Sequence, residues 1–185
     1  MTTVEATPAA RRARHFRWLE RRLFEILGGW VPSEPDPEIK LVLRSHSFQH
    51  AWHADLWGGL LPPGGDGPFP DPDPGPSSGL THVLREMAQP AGSLERLTGA
   101  YRVVLPGLVE AYETCRDEIT PAAGGPALRA LGLILADEVE ACRVGEQLVQ
   151  RLLDGTDSAG QEPDHRGLLE GLLRASGGMK PHVIS

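Results

Sequence analysis

Three histidines, His46, His50 and His53, stand at i, i+4 and i+7 within the stretch Ser45–Trp57. On a helix that spacing gathers them within roughly 60° of arc, on one face. The same face carries Ile39, Val42 and Leu43 before them and Trp57 and Leu60 after them, so the imidazoles lie on the stripe that a core uses. Imidazoles in a core call for a metal, a carboxylate or a shared proton. Two carboxylates fall on comparable stripes. Glu20 sits within the run Phe16, Leu19, Leu23, Leu27 and Trp30, and Glu138 at the centre of Leu131, Ile134, Leu135, Cys142, Gly145, Val149 and Leu152. A carboxylate facing a core is unusual unless it is paired or coordinates a metal. Two carboxylates and three imidazoles from three helices have the composition of a first-row metal site.

Each group also has a plainer reading. Any one histidine alone suits a hydrogen-bonded core position. Glu20 can pair with an imidazolium, Arg17 or Arg102, and Glu138 with a histidine. Cys142, one turn from Glu138, reads as a small buried thiol. Tyr101 and Tyr112 read as core aromatics with a satisfied hydroxyl, or one of them as a proton donor beside the site. Trp18, Trp30, Trp52 and Trp57 read as packing and interface residues.

The elements that must position these groups are helical. Thr7-Pro8 opens a first helix that runs to Trp30, with Pro in the first turn. Ser33–Glu38 is a turn with N-cap candidates, and a second helix follows from about 37 to about 60. The short connection makes the two an antiparallel hairpin, with Glu20 and His46 at nearly the same height, to within one turn. Leu41, Phe48 and Trp52 form a second apolar strip on the far side of helix two. It suits a peripheral segment or a second subunit, so a homodimer is among the expected assemblies.

Residues 61–79 are too rich in Pro and Gly for helix or strand and read as a long crossover, or as a lid. A short helical piece spans Leu80 to about Ala88. Ser93 then caps a third long helix, Leu94 to about Ile119, which Pro106 should kink or break locally. A turn over Thr120–Pro126 leads to a fourth, from about Ala127 to about Asp154. Asp137 and Glu140 point away from its stripe. A Gly/Pro linker over 155–163, a short helix over 164–175 and a loose tail from Ser176 complete one domain.

Composition narrows the function classes. The 185 residues are 40% hydrophobic, enough for a real core. A formal charge of −7 argues against a nucleic-acid partner. The basic run Arg11, Arg12, Arg14, Arg17, Arg21 and Arg22 reads as a solvated helix flank, or else as a contact for an anionic ligand or membrane surface. There is no run of 18 apolar residues and no apolar signal segment, so no membrane partner is expected. Two cysteines without zinc-knuckle spacing are most simply reduced thiols in a cytoplasm.

Four long helices, short outer turns and a long middle crossover describe a four-helix bundle. Over residues 8–154, in architecture and inward ligand pattern, the chain resembles the ferritin-like superfamily, especially its small diiron-carboxylate oxidoreductases. In that family the first helix gives a Glu, matched here by Glu20. The second gives an E-x-x-H pair, where this chain reads His50-Ala51-Trp52-His53. The fourth gives another, where it reads Glu138-Val139-Glu140-Ala141. The third gives a Glu, where it offers Tyr101, Leu108 and Tyr112.

The resemblance implies an all-α, ferritin-like four-helix bundle and a non-haem metal-dependent oxidoreductase or oxygenase acting on a small molecule. Its ligands would be Glu20, His46, His50, His53 and Glu138. Tyr112 would be the catalytic side chain, with Cys142 lining the pocket. Iron, mono- or dinuclear, is the implied cofactor, while the ligand set alone suits zinc or manganese equally. Two alternatives stand beside it: a mononuclear hydrolase or transferase on the same bundle, and a metal-free partner protein that holds no cofactor.

Overall fold

The computed structural model describes residues 7–62, 77–90, 92–155 and 162–181. Helices joined by short turns make up these residues, with no strand among them. Helix α1 spans Pro8–Trp30; Thr7 caps it, accepting the Ala10 N–H at 3.2 Å, and Pro8 occupies its first turn. A short 3-10 turn, Val31–Ser33, leads to α2, Pro37–Gly58. Asp36 caps α2 by accepting the N–H groups of Glu38 at 2.8 Å and Ile39 at 3.1 Å, while Pro37 needs no partner there. The two helices pack along one another as the expected hairpin. Buried Glu34 pins their turn to the third run, because Ser93 Oγ donates to its carboxylate at 2.9 Å.

Helix α3, Ser78–Ala88, precedes the third run, which consists of α4 (Ser93–Thr98), a π turn (Gly99–Val104) and α5 (Leu105–Glu118). The expectation over 94–119 was a single long helix that Pro106 kinks or breaks locally. The disturbance takes the form of the widened turn just ahead of it. There the Leu105 N–H reaches back to the Ala100 carbonyl, and Pro106 supplies no N–H for the next bond. Helix α6 spans Pro121–Gly155, longer than expected at its N-terminal end. Gly124 N–H closes the first turn on the Thr120 carbonyl at 3.0 Å, and Pro121 suits that position, so the residues read as a turn are helical.

Helix α7, Glu162–Ala175, lays buried Leu169 against α3, α4 and the π turn. The tail read as loose from Ser176 is ordered as far as 181. Gly177 and Gly178 take φ of 83° and 80°, a left-handed turn that glycine adopts freely. This returns Met179 to the core, where its carbonyl accepts from His15 Nε2 at 2.8 Å. The crossover expected over 61–79 lies outside the described residues from 63 to 76, and the linker expected over 155–163 from 156 to 161. No helix among the described residues is long and apolar enough to cross a membrane. Leu41, Phe48 and Trp52 on α2 are 65%, 58% and 44% exposed, as the second strip predicted.

Candidate metal centre

Close packing of α1 on α2 brings the chemistry together. A Cβ at Gly28 would stand 2.9 Å from Ser47 Oγ, and that hydroxyl donates to the Phe24 carbonyl at 3.0 Å. At this separation Glu20 on α1 reaches across to the histidines of α2. Helix α6 supplies Glu138 from the other side, and α5 supplies Tyr112.

One donor atom each from Glu20, His50, His53 and Glu138 lies within 4.8 Å of the other three, and all four residues are buried. His50 Nδ1–H donates to Glu20 Oε2 at 2.6 Å and lies 3.2 Å from Glu138 Oε1. His53 Nδ1 is 3.1 Å from Glu138 Oε1 and 3.5 Å from Glu20 Oε1. Both rings thus turn Nδ1 toward the carboxylates. Glu138 Oε2 is buried and accepts no hydrogen bond. Tyr112 OH donates to Glu20 Oε1, and Trp57 Nε1–H donates to Tyr112 OH at 3.4 Å. Phe16 stacks on Trp57 and packs at a tilt against Tyr112, with ring centroids 5.0 and 4.6 Å away, so one end of the cluster is closed by aromatic rings.

The electrostatics follow from burial and mutual attraction. Burial alone would push both imidazoles down, but the carboxylates of Glu138 and Glu20 outweigh it and hold His50 and His53 up at about 10. Burial works against a charged Glu138 too, yet the two imidazolium charges bring it down to about 2. Burial pushes Tyr112 well above its ordinary value, and the Glu20 charge adds to the shift. Cys142, partly buried and one turn from Glu138, is pushed up to about 12, chiefly by burial. It is a protonated thiol at neutral pH, and both cysteines are free.

His46 does not join the four. Its Nδ1 lies 2.8 Å from Tyr101 OH, and burial together with the His50 charge lowers it to about 4, so it is neutral. Glu20 meets His50, one turn further along α2 than the height reckoned from the turn. Tyr101 in turn fits only because residue 145 is glycine, since a Cβ there would run into the Tyr101 ring. Asp137 was missed. It lies off the inward stripe of α6, yet its Oδ2 is 3.2 Å from His53 Nε2. The available signal was its place beside Glu138, on the flank of α6 nearest α2.

The group can hold a metal ion: its donors are two imidazole nitrogens and two carboxylates, and one buried acceptor atom has no partner. No family model matches the chain, and neither a curated protein nor a solved structure matches it.

Proposed function

We propose that this chain is a ferritin-like metal protein holding one divalent first-row ion, iron foremost, between Glu20, His50, His53 and Glu138. It works on this reading as a non-haem metal-dependent oxidoreductase acting on a small molecule. The observation that carries the proposal is Glu138 Oε2, a buried acceptor with no hydrogen-bond partner beside three other inward-turned donors. An orphaned buried carboxylate oxygen is costly, and a cation is the partner that suits it.

Charge sets the count of ions. Two carboxylates balance one divalent ion when both imidazoles are neutral. A second divalent ion would bring two positive charges that these four side chains cannot offset. The ferritin-like part rests on the helical layout and on the positions of Glu20, His53 and Glu138.

Small-molecule redox chemistry is favoured by burial. None of the four ligating residues is more than 1% exposed. A cavity of about 400 Å³ lies elsewhere, lined by Arg102, Gly107, Leu173 and Met179 among others, and none of the four lines it. A centre sealed in this way suits a reactant about the size of dioxygen better than a bulky ester or polymer. Iron held by imidazole and carboxylate supplies one-electron and oxygen chemistry. Tyr112 is the proton-bearing side chain: burial keeps its hydroxyl protonated, and it presents that proton to Glu20 Oε1. Phe16, Trp57 and Tyr112 exclude water from the same end.

A metal-free bundle is the second reading. The 2.6 Å contact between His50 and Glu20 and the 3.1 Å contact between His53 and Glu138 favour it, because the cluster closes as ion pairs. Elemental analysis of protein purified without a nickel column separates the readings. About one iron per chain, abolished in His50→Ala and Glu138→Ala, supports the first, as does oxygen uptake after anaerobic Fe(II) loading. Zinc near one per chain with no oxygen uptake points to a hydrolase or transferase. Absence of any bound metal, together with a stable partner protein, points to the metal-free bundle.

A further inference from the structure

We propose that the cavity between the third helical run and the C-terminal turn binds a small organic monoanion, a carboxylate carried on an apolar body. The proposal stands apart from the metal reading, because none of Glu20, His50, His53 and Glu138 lines this cavity. Its volume of about 400 Å³ falls within the ~300–1,000 Å³ of small-molecule sites.

The floor is apolar. Buried Val103 and Ala111 face it from the third run, and buried Met179 from the tail. A Cβ at Gly107 would stand 3.0 Å from Leu173 Cδ2 and 3.8 Å from Met179 Cγ, so α5 meets α7 and the tail there at bare backbone. The left-handed turn at Gly177 and Gly178 seats Met179 in this floor and brings exposed Lys180 onto the rim.

The wall carries three cations, Arg102, Arg174 and Lys180, and two acids, Glu110 and Glu170. Arg102 is held by Glu146 at 2.8 Å and Glu170 by Arg166 at 2.7 Å, both partners lying outside the wall. Arg174, Lys180 and Glu110 have no ion-pair partner among the described residues. Three cations against two acids, or the unpaired two against one, leave one positive charge in excess. That is a local reversal of sign in a chain of net charge −7. Arg174 has a second use in the last turn of α7, where a cation suits the helix dipole. Lys180 lies beyond the helix and has no such use. One excess charge over an apolar floor selects a monoanion with an apolar body, because a dianion would also meet Glu110. A carboxylate is the monoanionic head group that a guanidinium receives in a planar, two-point contact.

Titration of the ¹⁵N-labelled full chain with octanoate at pH 8 tests the proposal, with 1-octanol and octyl phosphate as neutral and dianionic counterparts. Octanoate should shift the amides of Gly107, Gly177 and Gly178, leave Gly132 on α6 unmoved, and give a Kd of about 0.1–1 mM. Octanol and octyl phosphate should each bind about fivefold more weakly or worse. The double variant Arg174→Glu, Lys180→Glu reverses two exposed charges and leaves the floor intact. It should weaken octanoate about 10-fold or more and leave octanol unchanged. Glu110→Gln should tighten octanoate about two- to fivefold and close most of the gap to octyl phosphate.

Four outcomes overturn the proposal: shifts confined to other residues, octanol or octyl phosphate bound as tightly as octanoate, an unchanged octanoate Kd in the double variant, or no shifts at about 5 mM octanoate. Each leaves the metal centre standing, since that centre is read from different residues.

Discussion

Loading the centre with one divalent ion should expel two protons. In the metal-free protein His50 and His53 are held up at about 10, so at pH 7 both rings are charged. Glu138, brought down to about 2, is anionic. Two imidazolium ions and the carboxylates of Glu20 and Glu138 sum to zero. A metal accepts imidazole only in its neutral form. One divalent ion in place of two protons restores the sum to zero, and a buried site tolerates no other exchange cheaply. At pH 7 each proton is removed some three pH units below its pKa, costing roughly 4 kcal/mol, or on the order of 8 kcal/mol for both. Structural zinc sites reach apparent binding free energies of about 10–16 kcal/mol at pH 7 after meeting the deprotonation cost of their own ligands, so a cost of this order does not forbid the exchange. The assay is titration calorimetry with Zn(II) at pH 6.5, 7.5 and 8.5, in buffers of differing ionisation enthalpy. We expect close to two protons released per ion at each pH, and a binding constant rising about 100-fold per pH unit. Tight binding with no proton release at pH 7.5 would refute the reasoning, because the imidazoles would then be neutral before the ion arrives.

The metal-free protein should itself lose stability in alkali. The folded-state values of His50 and His53 lie above their ordinary 6.5, so their contribution is full below that pH and drains as pH rises toward about 10. Glu138 lies below its ordinary 4.5, so its share is full above 4.5 and drains as pH falls toward about 2. Urea midpoints should peak between these limits and decline by pH 9; a flat profile from pH 6 to 9 would contradict the shifts. Gly145→Ala should cost about 1–3 kcal/mol by driving a methyl into the Tyr101 ring, whereas Gly132→Ala, with nothing within 4 Å of the new Cβ, should gain up to about 1 kcal/mol. Denaturant unfolding compares the pair, and equal effects would mean that Tyr101 is not held where the structure has it. Tyr112→Phe removes the hydroxyl between Trp57 and Glu20, and should cost about 1–3 kcal/mol by leaving the Trp57 N–H unpaired. On the proposed function it should also abolish oxygen uptake while metal content stays near one per chain; retained uptake would remove Tyr112 from the chemistry.

The helices and the faces of Glu20, His50, His53 and Glu138 were legible because burial reads as a period of 3.6 residues, and a charged group on the buried stripe stands out against it. Periodicity carries angle but not height. The axial match of α1 to α2 depends on contacts such as Gly28 against Ser47, so the height of Glu20 could be reckoned only to within one turn of His46, and within that turn its partner is His50. The π turn limited the reading in another way. On an unbroken α-helix Tyr101 and Tyr112 share one stripe. The widened turn alters the phase between them, and Tyr101 goes to His46 while Tyr112 goes to Glu20. Asp137 shows a third limit, since an inward-or-outward division has no place for a side chain on the flank of a helix. Such a position is wet enough to keep a charge and close enough to touch the buried ring of a neighbour. The flanks beside inward charges therefore deserve the same scrutiny as the stripe itself.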